Sequence, residues 1–172
     1  MKNLKKLFEK SQDNINYLGA FLRISLGWIL LWAFLDKVFG LGFSTAADKT
    51  WLAGISPTSG FLKLGATGFF GKYFGALAGS ALVDWLFMLG LLLIGTALIL
   101  SIGMKIASYS GALLMFLMWL ALVPSKNNPI IDDHIIYLIV FLRLNFTDAG
   151  KTLGFGRWWS NTKLVKRYKF LE

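Results

Sequence analysis

Asp36, Lys37, Asp84, Asp132, Asp133 and His134 are the residues of this chain best suited to proton chemistry, and all six fall at the same end of long apolar segments. Ionisable groups are costly in or beside hydrocarbon, so a set drawn from three separate segments calls for partners or for a function. Neighbouring carboxylates repel and relieve the repulsion by sharing a proton, and a histidine titrates near physiological pH. Such a layer would donate and accept protons for a quinone headgroup arriving from the bilayer, or hold a small polar solute. Asp133, His134 and Asp84 are the candidates for moving protons, and Lys37 would neutralise an anion or a carboxylate. Asp36 and Asp132 complete the polar set. Trp28, Trp32 and Asp36 succeed each other at i+4 on one helix face, so the two indoles would form an aromatic wall. Asp133 and Tyr137 share a face in the last segment, with His134 three residues before Tyr137. No spacing specifies a metal ligand set, a nucleophilic triad or a phosphate loop.

Four apolar segments position these groups. Hydrophobic residues make up 56% of the 172, aromatics 16%, and the mean hydropathy is +0.60, more apolar than a soluble core of this size requires. The expected fold is all-α, an integral membrane four-helix bundle in one domain covering residues 1–172. Spans are expected at 18–41, 81–102, 104–123 and 130–147. The apolar run from Leu18 continues to about Leu41, too long for a signal-peptide core, so the first span is read as uncleaved. The short link Ser101 to Lys105 makes spans two and three a tight antiparallel hairpin. Pro124 stops span three, and Asn127-Asn128-Pro129 is a turn before span four. Span four is marginal: its apolar residues supply roughly −5 kcal/mol, against about +8 for Asp132, Asp133 and Arg143 at mid-bilayer. It inserts only with those charges near the interfaces or facing partners.

The flanks set the orientation. Residues 1–17 are polar and basic, with Leu4, Leu7, Phe8 and Ile15 near helical spacing, and read as an amphipathic helix lying at the inner surface. Eleven Lys and Arg lie in the N-terminal segment, the short link and the 148–172 segment, against four in the first loop and the last turn. By the positive-inside rule both termini are cytoplasmic. The 43–80 loop is too long for a passive connector and too apolar for a flexible one. A helical or re-entrant outer cap is expected there, with Gly71, Gly75 and Gly79 aligned on one helix face and Ser56 to Gly60 as its turn. The 148–172 segment is basic and amphipathic. Trp158 and Trp159, followed by Lys163, Lys166, Arg167 and Lys169, describe an inner-leaflet anchor. Arg23 and Arg143 are expected to snorkel to inner headgroups, with a charge pair or a lipid phosphate as the rival reading.

The net charge of +9 does not point to nucleic acid, because the basic residues flank apolar spans and lack an aromatic-interleaved soluble domain. The lipid bilayer is the expected partner. The absence of Cys excludes thiol–disulfide chemistry and Cys-ligated clusters within the chain. With one His, a metal site would have to be carboxylate-rich and a haem would lack a His pair, so neither is expected. A purely structural reading of the same acids also stands: Asp132 and Asp133 as first-turn and capping residues, Asp36 and Lys37 as the boundary of span one.

The stretches LWAFLDKVFGLGF (31–43), SPTSGFLK (56–63), VDWLFMLGLLLIGTALILSIGMKIA (83–107) and NNPIIDDHIIY (127–137) resemble the DoxX family of prokaryotic membrane proteins. The resemblance runs from about Leu18 to Trp159. It implies a four-helix membrane bundle in the plasma membrane, linked to sulfur or quinone redox chemistry through the DoxD and DoxA subunits of thiosulfate:quinone oxidoreductase. It also implies that Asp36, Lys37, Asp84, Asp132, Asp133 and His134 are the recurrent polar positions. No DoxA-like soluble segment occurs in these residues, so an oxidoreductase of this kind would need a redox partner protein. The rival functions are a non-catalytic scaffold that docks partner proteins, and a small-solute transporter acting as a homo-oligomer.

Overall fold

The computed structural model describes residues 2–126, 128–146 and 148–172, with side chains from Ser11 onward, Asp148 apart. The expected turn at residue 127, the expected span end at 147 and the side chains of Leu4, Leu7 and Phe8 lie outside the described residues. Helix α1 (Lys2–Phe39) is unbroken and 38 residues long. The N-terminal segment therefore continues the first span instead of turning to lie along a surface. Gly40 ends it at φ +64, donating its N–H to Asp36 O at 2.8 Å. A left-handed residue at this position closes a helix end, and glycine adopts it without a Cβ clash.

A loop of short helical turns follows: a 3-10 turn at Trp51–Ala53, a π-turn at Phe61–Gly65 and α2 (Gly71–Ala76). The expected face of three glycines does not form, because α2 stops at Ala76 and Gly79 lies beyond it at φ +83. Gly71 is instead wedged on the preceding turn, where an added Cβ would meet Ala66 O at 2.3 Å.

Helix α3 (Ala81–Leu100) runs back along α1. The two backbones touch: a Cβ on Gly27 would lie 2.9 Å from Gly95 O, and one on Gly95 2.9 Å from Gly27 O. Ser101 (φ 64) and Gly103 (φ 65) turn the chain into α4 (Met104–Leu122), the expected hairpin. Helix α5 (Asp133–Asn145) packs antiparallel on α4, with the fully buried Phe141 ring seated on Gly111. Helix α1 packs closely on α3, and α4 on α5, whereas α1 and α5 barely touch.

Among the described residues three helical segments are long and apolar enough to cross a membrane: Ser11–Phe39, Ala81–Leu100 and Met104–Leu122. The segment expected as the fourth span is shorter. Its 13 helical residues reach ~20 Å, against a hydrocarbon thickness of ~30 Å. The reason is local capping. Asn128 Oδ1 accepts from Ile130 N and Ile131 N, both at 3.0 Å, in a turn that holds 130–131 out of the helix. Asp132 then caps α5.

The 148–172 segment is not one amphipathic helix. It folds as a 3-10 turn (Asp148–Lys151), α6 (Gly156–Ser160), α7 (Lys163–Arg167) and a last 3-10 turn (Lys169–Leu171) against the α3–α4 link. Phe155 N donates to Leu100 O at 2.9 Å and Lys105 N to Glu172 O at 2.8 Å. Leu82, Leu86, Leu93, Leu113, Phe116, Ile136 and Ile139 are exposed on the helix exteriors. An apolar surface of that extent has no place in water and suits hydrocarbon.

Candidate functional site

The antiparallel packing of α1 on α3 and of α4 on α5 brings the ends carrying Asp36, Lys37, Asp84, Asp132, Asp133 and His134 to one end of the molecule, where the 43–80 loop is tied to α1, α3 and α4. The residues do not merge into one acidic layer there. Asp36, 1% exposed, is occupied by the chain that leaves its own helix. It accepts from Phe43 N at 3.2 Å, Ser44 N at 3.0 Å and Ser44 Oγ at 2.6 Å. Asp84, 6% exposed, accepts from Ser56 Oγ at 2.9 Å, Thr58 Oγ1 at 2.5 Å and Thr58 N at 3.4 Å. Each carboxylate is thus a staple for a different stretch of loop.

Asp132 is the N-cap of α5, accepting from His134 N at 3.1 Å and Ile135 N at 3.3 Å. Its second oxygen, Oδ2, lies 2.9 Å from His134 Nδ1. A carboxylate at Nδ1 places the proton there and leaves Nε2 as the reactive nitrogen. Asp133 is exposed in the first turn of α5, the position favoured by the helix dipole, and takes no part in the pair.

His134 lines an apolar cleft of about 210 Å³ among α1, α3, α4 and α5. Helix α1 contributes Leu26, Ile29, Leu30, Ala33 and Lys37. Phe87 and Leu91 come from α3, Met115 and Met118 from α4, and His134, Tyr137 and Phe141 from α5. Three side chains with polar ends therefore meet in a wall that is otherwise hydrocarbon and thioether. Lys37 makes no hydrogen bond or ion pair among the described residues that would hold it elsewhere.

Trp28 and Trp32 lie outside this cleft, on the α1 face that also carries Asp36. Their rings are 5.7 Å apart, and Trp32 packs edge-on against Phe43 at 5.1 Å. Successive helix residues are ~100° apart, so the Trp32–Asp36 face and the Ala33–Lys37 face look in different directions. The i+4 spacing does stack the two indoles on one face, where Trp32 braces the loop through Phe43 instead of walling the cleft.

At the opposite end Arg23 is not a lipid contact. It is 0% exposed. Its guanidinium donates to Leu98 O and to Ile99 O at 3.1 Å, carbonyls of the last turns of α3, and to Thr152 O at 3.1 Å and Leu153 O at 2.5 Å. Carbonyls at a helix C-terminus lack intrahelical donors, so a buried cation there is doubly favourable. Arg143 is exposed in the last turn of α5, Trp158 is 62% exposed, and Trp159 is half-buried with Nε1 donating to Leu171 O at 2.6 Å.

Sequence reasoning missed Met115, Met118, Leu91 and Phe141 as cleft residues, because an apolar wall looks like any other core. Ser56 to Gly60 reads in the sequence only as a turn, with no indication that its hydroxyls serve Asp84. Comparison with family models, with curated proteins and with solved structures returns no match.

The staple assignment carries a prediction. Asp84→Ala should cost about 1–3 kcal/mol, the typical penalty for orphaning buried hydrogen-bond partners, and should speed limited proteolysis within residues 43–80. Asp133→Ala should stay within about 0.5 kcal/mol of the parent, as an exposed substitution does. Equal melting temperatures and digestion rates for both variants would refute the distinction.

Proposed function

We propose that this chain is a DoxX-like membrane subunit of a redox system whose cleft receives the headgroup of a quinone. In this reading α1, α3, α4 and α5 form a four-helix bundle in a prokaryotic plasma membrane, with both termini cytoplasmic. The observation that carries it is the cleft: an apolar cavity bordered by Lys37 and by His134, which Asp132 orients from behind. A sulfur oxyanion or other small polar reductant would be poorly solvated by nine apolar side chains, whereas a quinone ring is apolar on its faces and needs donors only at its carbonyl oxygens. The motif resemblance and the excess of cations on one side support the membrane setting. Asp132 and Asp133 in the first turn of α5, and Arg143 in its last, also suit a short helix whose charges sit at its two ends.

The roles follow from the contacts. Quinone reduction takes up two electrons, supplied by a partner redox protein, and two protons. His134, oriented by Asp132 through Nδ1, gives the Nε2 proton to one carbonyl oxygen as electrons arrive. Lys37 stabilises the developing anion and gives the second proton to the other carbonyl oxygen, and both residues regain their protons from water before the next turnover. Tyr137 and Phe141 pack against the ring.

His134→Gln and Lys37→Met should each weaken binding of a decyl-tailed benzoquinone by the purified protein at least ten-fold, about 1.4 kcal/mol, with melting temperatures near the parent's. Parent protein that does not bind the probe, in detergent or in lipid discs, would end the proposal. A non-catalytic scaffold is favoured by a different fact: Asp36, Asp84 and Asp132 all serve as structural acceptors. His134→Ala separates the two readings, since a scaffold residue would be lost with the fold and a site residue with binding alone.

A further inference from the structure

Three of the four helices around the cleft are tied to the loop above them. Asp36 holds Ser44 on α1, and Asp84 holds Thr58 on α3. At the end of α4, Gly68 N donates to Ala121 O at 3.2 Å and Phe69 N to Val123 O at 2.8 Å. That end of the cleft is roofed. The opposite end is closed by the 148–172 segment, pinned through Arg23 to the last turn of α3 and through Ser101 Oγ to Gly150 O. The weak side is lateral. Helices α1 and α5 barely touch, although residues of both line the same cavity. Ile29, at the cleft wall on α1, is 45% exposed.

We infer that the ligand reaches the cleft sideways, through the seam between α1 and α5, and that it is a molecule with a small ring and a long apolar tail that stays in the bilayer. The inference rests on the quinone reading and adds the route and the class of ligand. Volume decides the class. A cavity of about 210 Å³ falls below the ~300 Å³ at which pockets begin to enclose whole drug-sized ligands. It therefore takes a headgroup and leaves a tail outside. The seam is an exit that demands no break in a hydrogen-bonded staple, and the exposed cleft residue on its α1 side, Ile29, is apolar, so a tail lying across it meets hydrocarbon.

The test is a benzoquinone carrying a decyl tail with a terminal diazirine, photolysed with the intact protein in lipid discs and mapped by peptide mass spectrometry. A tailless water-soluble benzoquinone in excess serves as competitor. Competed labelling should be enriched at least five-fold on peptides containing Phe21 to Ile29 of α1 and Ile136 to Val140 of α5, relative to the outward faces of α3 and α4. Competed labelling concentrated on residues 43–80 would mean access from the roofed end. That outcome overturns the lateral route while leaving the quinone site standing. Labelling that the tailless competitor does not reduce would mean that no headgroup site exists, and both proposals would fall.

Discussion

Arg23→Met should lose at least about 3 kcal/mol of stability and release the 148–172 segment from the molecule. Hydrogen bonds to a charged donor contribute about 1.5–3 kcal/mol each, and stranded carbonyls add a desolvation penalty. Here one guanidinium serves four carbonyls from two chain segments, Leu98 and Ile99 on one side and Thr152 and Leu153 on the other. Methionine fills the volume and supplies none of the donors. Arg23→Lys should recover only part of the loss, because a single ammonium cannot fork across both segments as a planar guanidinium does. Unfolding in detergent, followed together with proteolysis after Lys151 and Arg157, gives both readouts. An Arg23→Met protein that melts with the parent and keeps the segment protected would show that the clamp carries no weight.

Gly95→Leu should be comparably severe for a different reason. Its Cβ would lie 2.9 Å from Gly27 O and 3.0 Å from Leu31 N. Those atoms are backbone, which cannot rotate aside as a side chain can. Overpacking a well-filled interior costs typically about 1–3 kcal/mol and more where backbone must shift. Prising α1 from α3 would also move Lys37 and Leu30 relative to Leu91, opening the cleft wall. A loss of about 3 kcal/mol with abolished probe binding is the expected result. Gly90→Leu, on the same helix with open space around it, should be nearly neutral. If the two leucine variants behaved alike, the effect would belong to helix propensity and the close approach would be irrelevant.

The placement of the ionisable residues at one end was legible because span lengths and turn residues fix which ends meet, and the Ser101–Gly103 link allows only a hairpin. The partners were not legible. Asp36 lies eight residues from Ser44 and Asp84 lies 26 from Thr58, and nothing in apolar periodicity reports how a loop folds back. The structural reading of Asp132 as a cap holds, and the same carboxylate also orients His134, so the two readings of that residue are not exclusive. The energy sum for the segment 130–147 failed on paper, and the helix there is shorter than the apolar run because Asn128 and Asp132 cap it early. Arg23 was assigned to headgroups from its depth in the span alone. Its true role depends on where α3 ends beside it, a tertiary fact invisible to a local rule.

One consequence of the unbroken α1 concerns mechanics. Its 38 residues extend ~57 Å, whereas the 20 of α3 extend ~30 Å, and the bundle is met only near Gly19, beside Ala149. Ser11, Gln12, Asp13, Asn14 and Ile15 are all exposed on the protruding turns. A stiff rod thus stands out from the body, and its far half supplies one wall of the cleft. A protein gripping the mast and tilting it would swing Ile29 and Lys37 through the same angle, so a force applied tens of ångströms away would reach the cleft wall without any relay of side chains.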